Sequence, residues 1–430
     1  MLKKFLLLIL SLALCPPALS AAERPIIDIA SPTIRKLPVA LPAFAPQSEQ
    51  TSSPALEQGR ELLSQDLLFT GLFDIIDPAS YLGTAEEEVN PRQWSRVGAE
   101  LLITCRYQRE GSVLTLECRL YDILEARQLV GKRYSGQEED LPAMMHRFAD
   151  EIMLAVTGER SVFSTLIAFV HSEGNNKNIW LMDFNGANPR PFTQKEGLTL
   201  YPAWDPAGSL LAYSQFVNRH PAVFVHSLAG GGGRMIINSS GMSITPAFRP
   251  GGQIAASLSY GNGPTNIFLS DLTGQIVKNL SNGLNIDVTP SFSPDGGQMA
   301  FVSDRGGAPQ IYILDLNSGQ TRRLTFGYNY CAAPDWSPKG DLIAFQARTE
   351  NGFRIATVKP DGSGLQVLDT PGGEDPSFSP DGRLIAYSSR TTGAYQIYVV
   401  TASGQMIGQI SNLSGDNSDP AWSPRGLGGK

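Results

Sequence analysis

Four histidines and four cysteines in 430 residues leave this chain short of the side chains from which metal centres and nucleophilic sites are built. His146, His171, His220 and His226 do not stand at metal-ligand spacing from one another. No Gly-x-Ser-x-Gly elbow, His-Glu-x-x-His, Gly-x-x-x-x-Gly-Lys loop or Cys-x-x-Cys pair occurs. The glycine run 230–233 has no helix behind it and reads as a turn rather than a phosphate loop. Neither catalysis nor a cofactor nor a metal is therefore expected. Positive charge is not in surplus either. The formal charge of −7 becomes −9 once the first 20 residues, with Lys3 and Lys4, are removed, so nothing electrostatic favours nucleic acid or anionic lipid. Long apolar runs are also missing. The stretch 5–15 is too short to span a bilayer, and it lies between Lys3-Lys4 and the small-x-small site Ala18-Leu19-Ser20. Residues 1–20 read as a cleaved secretory signal, and no membrane insertion is expected. Leu14 argues against a lipoprotein signal at Cys15.

What the chain has in quantity is turn residues, 43 Gly and 30 Pro, and a repeat. Pro-x-aromatic-x-Pro occurs six times, beginning at Pro202, Pro246, Pro290, Pro334, Pro376 and Pro420, at intervals of 44, 44, 44, 42 and 44 residues. Each unit reads as four strands. The motif lies on the first, and a turn such as Ser293-Pro294-Asp295-Gly296 follows. Then come an apolar run such as Ile343-Ala-Phe-Gln346, a third strand near Asp-x-x-Gly, and a short fourth ending in a Leu-Thr-like pair. Four strands in about 44 residues specify a β-propeller. The first apolar run, at Ile167, has no motif before it, and the last motif, at Pro420, has no apolar run after it. Six blades result only if the C-terminal strand completes the blade begun at Ile167, which also removes two sheet edges. The motif aromatics are expected to pack between blades.

The region before the repeat reads as a small α+β domain. Strands are expected at 39–44 and 73–77, and helices at 53–71, 91–98 and 141–157. Three further strands end near Tyr134. In the last helix, Met145, Phe148, Ile152 and Val156 follow helical spacing. The expected organisation is a signal peptide at 1–20, a mobile segment at 21–37, the α+β domain at 38–158 and the propeller at 159–430. Cys105 and Cys118 fall on two runs joined by the turn Glu110-Gly111. If the runs pair as a hairpin their sulfurs can face each other, but register is not fixed by sequence. Cys331 reads as a small buried residue.

The candidate binding residues precede each motif, where loops lead into the innermost strands and line one mouth of the channel. They are Thr199 and Tyr201, Ser243 and Thr245, Asn285 and Asp287, Asn329 and Tyr330, Glu374 and Asp375, and Asn417 and Asp419. Such a polar rim suits a docked peptide or protein loop. Four of the twelve are acidic, so a carbohydrate- or metal-binding propeller is the alternative. A gating domain of a hydrolase is disfavoured, because the first 160 residues are too few for the hydrolase and lack its nucleophile elbow.

The junction His146-Arg-Phe-Ala-Asp150-Glu-Ile, continuing through Thr157-Gly158-Glu159 to Phe163-Ser-Thr-Leu-Ile167, resembles that of the TolB family. So do the six repeats and the run Gln65-Asp66-Leu67 to Thr70-Gly71-Leu72-Phe73. The resemblance implies a periplasmic, non-catalytic scaffold of the Tol–Pal envelope system, monomeric alone, that supports outer-membrane integrity and cell division. It further implies docking of the peptidoglycan-associated lipoprotein Pal at the propeller mouth. TolA would be bound through the N-terminal segment, with Glu23, Arg24, Ile26, Asp28 and Ile34 as the candidate residues. The second blade departs from the pattern at Arg249, Gly251, Ala255 and Ala256.

Overall fold

The computed structural model describes residues 35–47, 52–82, 89–159, 161–194 and 197–424. The chain folds as an α+β domain followed by a six-bladed propeller. The expected secretory signal at 1–20 and the candidate tail residues Glu23, Arg24, Ile26, Asp28 and Ile34 lie outside the described residues. No helix among the described residues is long and apolar enough to cross a membrane.

The first domain is built on one mixed sheet. Strands β1 (Leu37–Ala40), β2 (Ala45–Pro46) and β3 (Phe73–Ile75) join the meander β4 (Leu101–Glu110), β5 (Val113–Asp122) and β6 (Arg127–Gly136), in the order β3-β1-β4-β5-β6 with β2 beside β4. The strand expected at 39–44 is thus shorter and starts earlier, since Pro42 interrupts it. Helices α1 (Pro54–Phe69) and α3 (Leu141–Thr157) pack together on one face of the sheet, and α2 (Pro91–Arg96) lies on the other, its Trp94 against Ala40, Leu102 and Ile123. Proline opens α1, and Gly158, at φ 76°, closes α3 by donating its N–H to the Leu154 carbonyl. The expected stripes are buried, but Leu68 turns away from the core and is 47% exposed. Cys105 and Cys118 are directly opposed in the β4–β5 register and form a disulfide. Cys331 is buried and free.

Six four-stranded antiparallel blades follow. Blades 1 to 5 run over residues 199–237, 243–279, 287–323, 331–367 and 374–409. Blade 6 combines β7 (Leu166–Glu173), β8 (Asn176–Asp183) and β9 (Arg190–Pro191) with the C-terminal strand Asp416–Trp422, which lies innermost against β7. The closure expected from the mismatched ends is therefore present.

The repeat residues each have a local task. In Ser293-Pro294-Asp295-Gly296 the Ser293 hydroxyl donates to Asp295 at 2.5 Å and accepts the Gln298 N–H at 2.9 Å. Ser379 and Asp381 do the same in blade 5. In blade 1 Asp205 takes over, accepting the Ser209 and Leu210 N–H groups. In blade 2 Arg249 instead reaches the Gly296 carbonyl of blade 3 at 3.0 Å. The hydroxyl of the Leu-Thr-like pair accepts the first free N–H of the third strand: Thr325 from Ile311, Thr370 from Ile355, and Ser411 from Ile397. The motif aromatics fill the layers between blades. Phe248 packs with blade 1, Phe292 with blade 2, Trp336 with blade 3 and Phe378 with blade 4.

The two domains share one continuous core. Phe184, in the turn after β8, sits in an aromatic socket of Phe69, Phe163 and His146 at ring-centroid distances of 5.0, 5.3 and 5.6 Å, each edge to face. Around it Lys339 pairs with Glu159 at 2.8 Å, and Arg383 donates to the Thr70 carbonyl at 3.4 Å. Lys339 and Arg383 lie in turns between first and second strands, so the small domain occupies the face on which the inner strands end. The loops leading into those strands open on the opposite face.

Candidate functional site

The six inner strands wall a central channel of about 490 Å³. Each strand bulges where it meets the first proline of its motif. The residue just before that proline has positive φ in every blade: Tyr201 56°, Thr245 48°, Thr289 52°, Ala333 50°, Asp375 51° and Asp419 50°. All six line the channel. A non-glycine residue in this region costs on the order of 1–2 kcal/mol. The strain persists because the surroundings fix it. Proline restricts the following φ, and the freed N–H groups are taken sideways: Asp375 donates to Gln346 at 3.0 Å, Asp419 to Ser388 at 3.0 Å and Thr289 to Thr245 at 3.3 Å.

Deeper in the channel, side chains lace the blades together. Trp336 N–H donates to Ser291 Oγ at 2.9 Å, Phe378 N–H to Asp335 Oδ2 at 2.7 Å, and Trp422 N–H to Ser377 Oγ at 3.0 Å. The equivalent residues Ala203, Ala247 and Ala421 have no acceptor side chain, so this lacing covers only the arc from blade 3 to blade 6.

Charge is equally one-sided. Asp375 and Asp419 stand on adjacent blades with their carboxyls in hydrogen-bonding reach. Burial in the mouth raises both pKa values. The Asp419 charge adds to the rise at Asp375, while the Asp375 hydrogen bond and then Lys177 moderate it at Asp419. Such a pair shares a proton rather than carrying two full charges. Glu374 joins them and accepts the Tyr395 hydroxyl at 3.0 Å. Burial, then the nearby carboxylates, raises the phenols of Tyr201, Tyr330 and Tyr395. Asp335 lies deeper, pushed up to about 7 by burial and pulled back by the Phe378 N–H and Ser291.

The structure separates the twelve rim residues into groups. Tyr201, Thr245, Asp375 and Asp419 line the channel as expected. Glu374 and Tyr330 stand at the same mouth, Tyr330 with its ring on Phe353. Thr199, Ser243, Asp287 and Asn417 are corrections: at most 1% exposed, they point into the blades, because each lies two positions ahead of the strained residue across the bulge. Asp287 pairs with Arg305 at 3.1 Å, and Asn417 bonds His171 and Gln396. Asn285 and Asn329 sit in outer connecting loops outside the channel lining. Thr289 and Ala333, which are not among the twelve, stand one residue before the motif proline, as the other four do. That fixed offset was the available signal. Among the described residues, no group of three or more His, Cys, Asp or Glu is placed to hold a metal ion.

Comparison with known proteins agrees with this architecture. The model of the TolB amino-terminal domain matches residues 25–129, and that of the TolB beta propeller domain matches residues 154–426. The Tol-Pal system protein TolB of Desulfosudis oleivorans is 37% identical over 229 residues, 52% of each chain. That of Syntrophotalea carbinolica is 35% identical over 212 residues, 48% of this chain and 49% of the relative. The chain thus aligns with about half the length of these curated relatives. The crystal structure of TolB from Acinetobacter baumannii superposes with a TM-score of 0.80 at 25% identity, covering 91% of this chain and 97% of that one. Since the propeller match alone takes in well over half of the sequence and the amino-terminal match falls on the α+β domain, the chain belongs to the TolB family.

Proposed function

We propose that this protein is a non-catalytic periplasmic scaffold of the Tol–Pal system, docking the peptidoglycan-associated lipoprotein Pal at the propeller mouth and TolA through the segment before residue 35. The observation that carries this reading is the ring of six strained residues around an open channel, on the face away from the small domain. A pre-formed, rigid ring with polar side chains at five of its six positions suits recognition of another macromolecule, because little ordering is left to be done on binding. The small domain lies on the opposite face, so the chain enters the fold away from the mouth and two partners can be engaged at once.

The test is capture of partners from a solubilised cell envelope, with mass spectrometry of what is retained. The lipoprotein is expected with the wild type. Reversal of the mouth charge in Asp375→Lys/Asp419→Lys should weaken its binding by about 2–5 kcal/mol, the range for charges at a desolvated interface, without unfolding the ring. Unchanged affinity would place the site elsewhere. Deleting residues 22–34 should abolish TolA capture and leave lipoprotein capture intact; retained TolA would refute the role of the segment.

A further inference from the structure

The interface between the two domains contains a titratable pair that the docking function does not use. Asp66 of α1 is completely buried, and its Oδ2 meets His146 Nδ1 of α3 at 2.7 Å. The other oxygen, Oδ1, is buried with no partner. The His146 ring is the wall of the socket that grips Phe184 of the propeller. The charged groups bearing on the imidazole are all acidic: Asp66 on α1, Asp150 on α3 itself, and Asp183 at the end of β8 in the propeller. Of the basic residues at this boundary, Lys339 pairs with Glu159 and Arg383 donates to the Thr70 carbonyl, while Arg147, next along α3, bears on Tyr134.

We propose that the Asp66–His146 pair is a protonation-dependent latch that holds the small domain on the propeller when the imidazole is charged and loosens it when the proton leaves. The charged imidazole offsets the buried carboxylate of Asp66 and attracts Asp183 across the domain boundary. The neutral imidazole does neither, and a buried carboxylate with one unpartnered oxygen remains.

The directions agree with this. Burial alone would lower the His146 pKa, but the Asp66 hydrogen bond and the charges of Asp66, Asp183 and Asp150 outweigh it and raise the pKa above 6.5. Burial raises Asp66 above 3.8, and His146 pulls it back only in part. A group whose pKa is higher in the folded state binds protons more tightly there, so stability falls as pH rises. The latch is therefore complete below the ordinary histidine pKa and lost as pH climbs through the raised one.

Hydrogen exchange of the full chain at pH 5.5 and 8.5, corrected for intrinsic rates, tests this. Protection in segments 62–72, 144–150 and 181–186 should be lost in part at the higher pH, while the interior of blade 3 is unchanged. In His146→Gln, which cannot take up the proton, the step should vanish. Equal protection at both pH values in the wild type, or an undiminished step in His146→Gln, would overturn the latch. Should that variant fail to fold, the NMR titration of the wild-type imidazole decides: a midpoint at or below 6.5 refutes the proposal.

Discussion

Deleting residues 416–430 is expected to leave a chain that no longer forms a closed ring and elutes as aggregate. The strand Asp416–Trp422 pairs with β7 from Asp416 opposite Ser172 to Trp422 opposite Ile167. Its end is fixed by a reciprocal pair, Leu166 N–H to Ser423 Oγ at 2.9 Å and Ser423 N–H to the Leu166 carbonyl at 2.8 Å. Trp422 is 5% exposed, and its indole N–H donates to Thr165 at 2.8 Å, so the strand also clamps the link between the domains. On the other side Trp204 of blade 1 donates its indole N–H to the Ala421 carbonyl at 2.9 Å. Removing the strand uncovers β7 along its whole length and opens the inner face of blade 1. The unsatisfied edge of β7 is a template for pairing between molecules. Single truncation of the indole, Trp422→Ala, should be milder, about 3–5 kcal/mol, a drop in melting temperature on the order of 10 °C. Size-exclusion chromatography and calorimetry distinguish the cases. A truncated chain that stays monomeric with an unchanged melting temperature would show that closure is dispensable.

The second large effect is expected at Phe184. Replacement by alanine empties a socket bounded by Phe69, Phe163 and His146, in a site where Phe184 is fully buried. Phe→Ala in a packed core costs about 3–5 kcal/mol. Here the loss falls on the contact between two domains, each with its own sheet. The expected signature is therefore a single heat-absorption peak that separates into two, the small domain melting first. A lowered but still single transition would mean that the flanking contacts of Lys339 and Arg383 suffice to keep the domains cooperative.

The sequence and the structure meet most closely in the propeller, for a physical reason. A blade cannot bury its two faces alone, so every blade repeats the same solution, and the period of Pro202 to Pro420 exposes it. The mismatch between Ile167 and Pro420 revealed the closing strand in the same way. The candidate rim is harder to read. Selecting residues by polarity picked Asp287 and Asn417, which are buried, and passed over Ala333, which has no polar group yet lies in the channel wall. The bulge decides which residue faces inward, and a bulge is a property of strand pairing that polarity does not report. The aromatic socket was not legible at all. Phe69, His146, Phe163 and Phe184 come from separate elements, and only the docking of the domains brings them together.

The joining of β7 to the last strand also sets an order of events. Leu166 and Ser423, which bond each other, are 257 positions apart. At ordinary synthesis rates they emerge roughly ten to fifty seconds apart. For that interval the opening three strands of blade 6 must wait with one edge bare, while the five local blades can already assemble. Final assembly is thus a long-range event, and long-range pairing is slow. A holdase that shields an extended edge would act on this protein chiefly before the last strand arrives.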